Sequence, residues 1–271
     1  MKKIQFVIPM VFAAGAVLAQ DEPVPEFPSH FNPTPAADWR ELSADRPDFT
    51  ESPYTVDAGA VQIELSFFDY AKSGSTDTFA VAPSNIKIGL LDDVDIQFVV
   101  NPFVHAEDDG DSQSGFGDSQ IRLKINLWGN DGGDTAMAIM PYIQIPTASD
   151  DLGHDHVEGG LILPFAMELA EGVGLGLMLE ADFVYDDSAG NYETELVATA
   201  AVGFELTETV GAYAELIGST GADGDSPDVA ILGLGATYTV TSNLQFDAGA
   251  NIGLSQDADD IGLFSGVTLR F

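Results

Sequence analysis

The sequence predicts an all-β fold: a transmembrane, antiparallel up-and-down β-barrel of about twelve strands. Three observations predict it. Alternating apolar and polar residues recur along the chain, the first residues have the pattern of an export signal, and the last predicted strand ends on Phe271. After residue 20, no apolar run approaches the roughly 20 residues that a spanning helix needs. If this chain crosses a membrane, it must therefore do so as a closed barrel.

The first residues predict a secretory signal over residues 1–19. Lys2 and Lys3 supply the positive start, an apolar stretch follows, and Val17-Leu18-Ala19 resembles a cleavage site. Residues 20–58 are rich in proline and acids and are expected to form a periplasmic leader, largely disordered up to residue 43. Residues 59–271 are expected to form the barrel.

The stretch 118–128 shows the strand pattern most clearly. Its apolar side chains share one side of an extended strand, and its polar ones share the other. The apolar set is Ile121, Leu123, Ile125 and Leu127, and the polar set is Gln120, Arg122, Lys124 and Asn126. In an outer-membrane barrel the apolar side faces lipid and the polar side faces the lumen. In a soluble sandwich, the apolar side would instead face a second sheet.

Twelve such segments follow residue 59, separated by turn signals. They lie near 60–71, 78–90, 93–105, 116–128, 135–147, 156–169, 172–186, 191–206, 209–218, 228–240, 243–254 and 261–271. Their connections alternate between short turns and longer acidic loops, which is the asymmetry of periplasmic turns and outer loops. Both termini are therefore expected in the periplasm. Aromatic residues at strand ends are candidate interfacial girdles: Phe204, Tyr238 and Phe271 at one end, Phe67 and Tyr185 at the other.

The charge is strongly negative, with 44 acidic residues against 9 basic ones and a formal net charge of −35. Such a chain has no basic patch to displace counterions, which excludes nucleic acid as a partner. The sequence has no cysteine, so neither a disulfide framework nor a thiolate metal site is available.

The residues before the first strand read Asp45-Arg46-Pro47-Asp48-Phe49-Thr50-Glu51-Ser52-Pro53, followed by Gly59 and Gln62-Ile63-Glu64. Three further landmarks are Gly115-Phe116-Gly117-Asp118 leading to Lys124, Ile145-Pro146-Thr147, and the closing stretch from Gly249 to Phe271. Together they resemble an outer-membrane transporter family named for the meta-pathway of phenol degradation. Ala148 departs from the glycine expected in that family. The resemblance implies a barrel with a transport role.

Strand parity places a set of charged side chains in the lumen. These lumen and pore-lining candidates are Glu64, Lys87, Asp95, Arg122, Lys124, Glu180, Asp182, Glu193, Glu195 and Asp247. Bases on the second and fourth strands would oppose acids on the seventh and eighth, which predicts a transverse field across a narrow pore. The alternative is local neutralisation, with Glu64 pairing with Lys87 on the neighbouring strand. Glycines expected in the lumen favour some opening, although Phe68 and Met178 could close it; they are Gly174, Gly176, Gly233, Gly235, Gly249 and Gly253.

The opening motif supplies a second set of candidates, at the periplasmic mouth: Asp45, Arg46, Asp48 and Glu51. Arg46 is the only base in this motif. We expect the segment to tuck into the mouth, with Arg46 reaching an acid such as Asp247 or Glu64, because a guanidinium can hold a carboxylate through two parallel hydrogen bonds. The alternative is a targeting or turn motif that never enters the lumen.

Metal and catalytic sites are weakly indicated. His154 and His156 would point the same way on an extended backbone and, with His105, are weak metal candidates. Acidic loop clusters could attract divalent cations that bridge lipopolysaccharide, although none matches a calcium loop. No serine–histidine pairing is suggested, so neither an enzyme nor a cofactor is expected.

The sequence therefore predicts a channel or transporter of the bacterial outer membrane that passes small molecules passively, with aromatic or other small organic solutes as the expected class. The runner-up is a narrow barrel with a structural or ligand-binding role and no transport, and a soluble acidic β-sandwich is third. Expected partners are outer-membrane lipid and lipopolysaccharide, the assembly machinery acting on Phe271, and a small-molecule solute. Neither the solute nor the oligomeric state follows from the sequence.

Overall fold

The structure, a computed structural model, describes residues 28–149, 152–222 and 228–271. The predicted signal, residues 1–19, lies outside these ranges. In the described part, no helix has the length and apolar character needed to cross a membrane. The one helical element in the same part is a single 3-10 turn, η1 (Ala36–Asp38).

In the part of the chain that the structure describes, fifteen strands form one antiparallel sheet. Three barrel strands are each interrupted once, and nine are continuous, so the barrel has twelve strands, as predicted. The first strand is β1 (Val61–Ser73), and the interrupted ones are β2 (Thr76–Val81) with β3 (Ser84–Leu91), β4 (Val94–Val100) with β5 (Phe103–Asp108), and β6 (Asp111–Gly115) with β7 (Ser119–Trp128). The others are β8 (Thr135–Ile145), β9 (Glu158–Ala170), β10 (Val173–Asp186), β11 (Asn191–Glu205), β12 (Val210–Gly221), β13 (Val229–Thr241), β14 (Leu244–Gly253) and β15 (Ile261–Arg270).

The sheet closes on itself. β15 pairs with β1 in a register that sets Gln62 opposite Arg270 and Glu64 opposite Thr268. Pairing of the first and last barrel strands joins the two edges of the sheet into a closed wall, which is what a sheet surrounded by lipid requires. No second sheet faces this one in the described part of the chain, so the soluble-sandwich alternative is wrong.

Side chains alternate across the wall as the sequence predicts. On β7, Lys124 is 0% exposed and faces inward, whereas Leu127 on the opposite face is half exposed. On β10, the outward Leu179 is 61% exposed. Large apolar side chains exposed all around a single closed sheet are unfavourable in water and favourable in hydrocarbon.

A β-bulge corrects the predicted position of Phe68. The register between β1 and β15 slips between Ser66 and Phe68, so the alternation reverses there. Beyond the bulge, Asp69 faces the lumen and Phe68 faces outward, where its ring stacks on Phe79 with centroids 6.1 Å apart. Phe68 therefore does not narrow the pore.

The two ends of the barrel differ, as predicted. Short turns join β3 to β4, β9 to β10, β11 to β12 and β13 to β14 at one end, which we call the short-turn end. Val61 and Phe271 meet there through two backbone hydrogen bonds of 2.8 and 2.9 Å. The opposite end, the long-loop end, carries an extension built from β2, β5, β6 and the end of β1.

Residues 20–27 of the predicted leader lie outside the described ranges, but its residues 28–43 make defined contacts with the barrel. Residues 28–43 lie against the short-turn end, where Arg40 donates to Asp57 at 2.7 Å and to the carbonyl of Asp92 at 2.8 Å. The indole of Trp39 lies 5.1 Å from the guanidinium of Arg270. The expectation of a largely disordered leader is wrong for these residues, because charged and aromatic side chains among the prolines bind the barrel rim.

Candidate functional site

The lumen is occupied midway by residues 44–58, which we call the inserted segment. The segment enters at the short-turn end, where the Gln62 side chain donates to the carbonyl of Ser43 at 2.8 Å. It turns at Phe49 and Thr50 against Glu215 on β12, and it returns to the same end, where the Val56 amide donates to Asp95 at 3.1 Å. Prolines 47 and 53 prevent regular structure in this stretch, so wall side chains must satisfy its backbone.

Asp45 binds two buried lysines of the wall. Lys124 donates to its two carboxylate oxygens at 2.9 and 2.8 Å, and Lys87 forms an ion pair with both Asp45 and Glu64. Burial alone would raise the pKa of the Asp45 carboxyl, but Lys124 and Lys87 together hold it well below its usual range. The inserted segment therefore supplies one of the negative charges that make these buried lysines tolerable.

Arg46 reaches β14 and β1. Its guanidinium donates to the two oxygens of Asp247 at 3.1 and 2.7 Å and to the hydroxyl of Ser66 at 2.5 Å. The backbone amides of Asp45 and Arg46 both donate to Glu64 at 3.1 Å. The structure thus brings Arg46 to both acids that the sequence suggests for it, one through its side chain and one through its backbone.

The apex of the segment is bound by a single carboxylate. Glu215 accepts from the amides of Phe49 and Thr50 at 2.9 and 2.7 Å and from the Thr50 hydroxyl at 2.5 Å. The Thr50 hydroxyl also lies 2.6 Å from that of Thr199 on β11. Just past the apex, Arg122 donates to Glu51 at 2.5 Å. Burial and the nearby Glu215 carboxylate raise the pKa of Asp48, whose side chain faces these contacts, well above its usual range.

All ten predicted lumen residues lie on the inward face, and the structure divides them into two groups. Lys87, Lys124, Arg122, Glu64, Asp95 and Asp247 contact the inserted segment. Glu180, Asp182, Glu193 and Glu195 line β10 and β11 nearer the long-loop end, where Asp182 accepts a hydrogen bond from Tyr142 and is opposite Glu195. The bases Lys87, Lys124 and Arg122 therefore contact carboxylates of the inserted segment, which lies between them and the acids of β10 and β11. The pairing of Glu64 with Lys87, the alternative reading, is also present.

The lumen contains aromatic and apolar side chains that the sequence analysis missed. The Tyr213 and Phe264 rings cover Gly235 and Gly249, where an added Cβ would lie 2.4 Å from a ring carbon. The expectation that these two glycines leave pore space is wrong, because each makes room for an aromatic from the adjacent strand. At Gly174 the lumen is open. A glycine opposite an inward aromatic on a neighbouring strand is the signal that could have revealed this.

An apolar strip also lines the inner face of β8 to β12. Its members are Met140, Ile162, Met178, Val197 and Ile217, with Tyr142 and Ile231 packed against them. Met178 faces inward, as the sequence suggested. The other members were not identified from the sequence, because strands that are apolar on both faces lose the period-two pattern.

The histidine candidates do not converge. His154 lies 2.9 Å from Glu158, whereas the His156 ring stacks on Tyr185 with centroids 3.7 Å apart. His105 has a different partner, Ser114, at 2.7 Å. Within residues 28–149, 152–222 and 228–271, no group of three or more histidine and acidic side chains is arranged to hold a metal ion.

Cavities remain beside the inserted segment, and two of them lie toward opposite ends of the barrel. One of about 470 Å³ lies toward the short-turn end, between the segment and β9 to β13. Another of about 450 Å³ lies toward the long-loop end and is lined by β1, β3, β4, β7, β9 and β10. Arg46, Asp48 and Glu51 border both cavities. The inserted segment therefore separates the two cavities. We call the one toward the short-turn end the inner vestibule and the one toward the long-loop end the outer vestibule.

The buried position of the segment predicts resistance to proteolysis. A glutamate-specific protease should cleave after Glu51 at least about a hundredfold more slowly in the folded protein than in denatured protein, because cleavage requires local release of buried contacts. Glu208, in an exposed turn, is the internal control and should be cleaved readily in both. Mass spectrometry of a time course measures both rates. Equal cleavage after Glu51 in folded and denatured protein would contradict the insertion.

The barrel is similar in fold to known channels. The COG4313 outer membrane channel from Pseudomonas putida F1 matches with a TM-score of 0.64 and 14% identity, covering 84% of this chain and 100% of that one. The NanC porin matches with a TM-score of 0.55 and 8% identity, covering 77% of this chain and 98% of the porin. No curated protein matches the chain in sequence. The family described as "Putative MetA-pathway of phenol degradation" matches residues 44–271, which include the inserted segment and every barrel strand. The chain belongs to this family.

Proposed function

We propose that the protein is a channel of the bacterial outer membrane that passes small organic molecules passively, and that the inserted segment is its gate. The observation that carries the proposal is a closed barrel, apolar outside and polar inside, with two vestibules separated by a segment that is not part of the wall. Aromatic solutes are the expected class, in keeping with the name of the family.

The contacts of the segment support a gating role. Its partners in the lumen are mainly ion pairs and hydrogen bonds: Asp45 with Lys124, Arg46 with Asp247, and Thr50 with Glu215. Water and ions in an opened lumen can replace such contacts, whereas lost apolar packing would have no substitute. A segment held in this way can leave the lumen without unfolding the barrel.

The proposal includes an orientation in the membrane, an export route and two contacts at the barrel ends. The short-turn end faces the periplasm, and export uses residues 1–19 as a signal that is removed. The exposed Phe271 beside Val61 is available to the assembly machinery, and the long-loop end meets lipopolysaccharide.

One observation favours a second candidate function. The inserted segment fills the middle of the lumen with buried ion pairs, as expected for a narrow barrel that binds a ligand or has a structural role and does not transport. In this alternative the fold and the contacts are the same, but the inserted segment never leaves the lumen.

Single-channel recording of the purified, refolded protein in planar bilayers tests the proposal. We expect discrete openings, and we expect flux in liposome swelling assays of small aromatic alcohols to exceed that of disaccharides of larger cross-section. Refolding is checked independently by the shift in gel mobility on heating that closed barrels show. Correctly folded protein with neither openings nor solute flux would contradict the proposal and support the non-transporting alternative.

A further inference from the structure

The barrel closes along one seam, the ladder between β1 and β15. In the part of the chain that the structure describes, every other pair of neighbouring barrel strands is consecutive in sequence, whereas this ladder joins the first strand to the last. Its formation therefore has the largest loop-closure cost of the wall. The seam also contains the β-bulge between Ser66 and Phe68, so its pairing is not one regular register from end to end.

The alternation of apolar and polar residues does not fix the register of this seam. A slip of one residue would turn every side chain of β15 to the wrong face. A slip of two residues keeps each side chain on its own face and sets Phe264 or Thr268, instead of Gly266, opposite Ser66. Correct closure therefore needs a feature that distinguishes registers two residues apart.

Arg46 of the inserted segment lies across three residues that the native register places side by side. Ser66 on β1 pairs with Gly266 on β15, and Gly266 pairs with Asp247 on β14. The guanidinium donates to the Ser66 hydroxyl at 2.5 Å and to the two Asp247 oxygens at 3.1 and 2.7 Å. It passes over Gly266, where an added Cβ would lie 2.5 Å from its Nη2 and 2.5 Å from the carbonyl oxygen of Leu65. We call the row of Ser66, Gly266 and Asp247 the arginine seat.

The arginine seat is complete only in the native register. After a two-residue slip, Phe264 or Thr268 would place a side chain where Gly266 leaves room for the guanidinium. Asp247 would move together with β15, because β14 and β15 form a hairpin, and it would shift by about 7 Å along the strands relative to Ser66. A planar guanidinium has fixed donor directions and could not then bind both residues.

Contacts with β1 can hold Arg46 in position before the barrel closes. The backbone amides of Asp45 and Arg46 both donate to Glu64 at 3.1 Å, across 19 and 18 residues of sequence. Arg46 and Asp247, by contrast, are 201 residues apart. Because shorter loops cost less to close, the contacts with Glu64 can form first and present the guanidinium at the edge of β1.

We propose that Arg46 selects the register in which the barrel closes, which is a further function of the inserted segment besides gating. With its backbone bound to Glu64, Arg46 binds the arriving hairpin only where Gly266 and Asp247 meet Ser66. After closure, the ten residue pairs of the seam hold β1 to β15, so the segment can later leave the lumen without opening the wall. The inference concerns folding and holds whether or not the protein conducts.

Cysteine pairs on the outer face report the register directly. Leu65 pairs with Val267 in the native register, whereas Leu65→Cys/Leu269→Cys can be bridged only after a two-residue slip. The full-length protein with either pair is unfolded in urea, refolded in reduced form into detergent micelles and then oxidised. Mass spectrometry measures the cross-links, and with Arg46 present we expect those of the native pair alone.

Arg46→Met is expected to raise the ratio of slipped to native cross-links at least about tenfold. The buried contact with Asp247, made through two hydrogen bonds, no longer favours the native register in this variant. The heat-dependent shift in gel mobility identifies the closed barrels in which the ratio is measured.

Arg122→Met is the matched control. It removes the same group and also breaks an ion pair between the wall and the inserted segment, because Arg122 donates to Glu51 at 2.5 Å. Since β7 is not part of the seam, this variant should give native cross-links alone. An equal rise of slipped cross-links in both variants would overturn the inference, because any loosening of the segment would then disturb closure. Native cross-links alone in Arg46→Met would also overturn it.

A rescue experiment covers the case in which Arg46→Met does not refold. Oxidation of the Leu65→Cys/Val267→Cys pair in the unfolded chain fixes the native register covalently, and it should restore closure of Arg46→Met/Asp247→Asn, which has no unpaired carboxylate in the seat. The same chain, kept reduced, should close in low yield. If oxidation restored no closure, Arg46 would be required for something other than the register.

Discussion

Oxidation of a Thr50→Cys/Thr199→Cys double variant is expected to abolish conductance and solute flux. The two threonine hydroxyl oxygens lie 2.6 Å apart, one at the apex of the inserted segment and one on the wall. A disulfide joins sulfur atoms about 2.05 Å apart, and the contact between the two hydroxyls makes this pair of positions the choice for a test. Since the chain has no cysteine of its own, the engineered bond is the only disulfide that can form within one molecule. A segment covalently fixed in the lumen cannot leave it.

Reduction of the same sample is the matched control. We expect the reduced protein to conduct at least as well as the wild type, because the substitutions remove the hydroxyl of Thr50 that donates to Glu215. Each single-cysteine variant should conduct under both conditions. Conductance of the oxidised double variant equal to that of its reduced form would show that the segment is not the gate.

The fold could be predicted because it depends on the alternation of apolar and polar residues within single strands. An alternation such as that from Ile121 to Leu127 fixes both the strand and the side that faces lipid, and the closed sheet has the predicted twelve strands. The prediction failed where the alternation itself breaks. At the bulge between Ser66 and Phe68 one extra residue reverses the parity, and nothing in residues 66–68 alone marks that position.

The contents of the lumen could be predicted only in part. Parity put Lys87 and Lys124 on the inward face, but it cannot say what a side chain meets across an open space. Their contacts with Asp45 depend on the path of a segment without periodicity, so that pair did not follow from the sequence. The contact of Arg46 with Asp247 was easier to predict, because a lone arginine among acids needs a carboxylate and few inward acids lie within its reach.

The predicted transverse field depends on the state of the gate. With the segment inserted, Asp45 and Glu51 neutralise the bases of β3 and β7, so little field from those bases crosses the lumen. If the segment leaves, Lys87, Lys124 and Arg122 face the acids of the opposite wall across water. The gate and the charge pattern of the pore are therefore one system, and changing the carboxylate that links them should alter both.

Asp45→Asn is expected to shift the segment out of the lumen and raise the open probability of the channel. The substitution removes a negative charge that contacts two buried lysines, leaving their positive charge only partly compensated by Glu64 and Glu51. Breaking one side of a buried ion pair costs about 3 kcal/mol at the lower end of the usual range. The docked state should therefore be disfavoured by roughly a hundredfold. Single-channel recording and the rate of cleavage after Glu51 measure the change independently.

Asp48→Asn is the matched control because it makes the same chemical change three residues away. Burial and the Glu215 carboxylate raise the pKa of the Asp48 carboxyl, so asparagine there removes a repulsion, and Asp48 has none of the ion pairs with lysine that Asp45 has. This variant should stay docked, with an open probability no higher than that of the wild type. Equal opening of the two variants would mean that loss of any acid loosens the segment. Opening in Asp45→Asn alone assigns the gate to the ion pairs of Asp45 with Lys87 and Lys124.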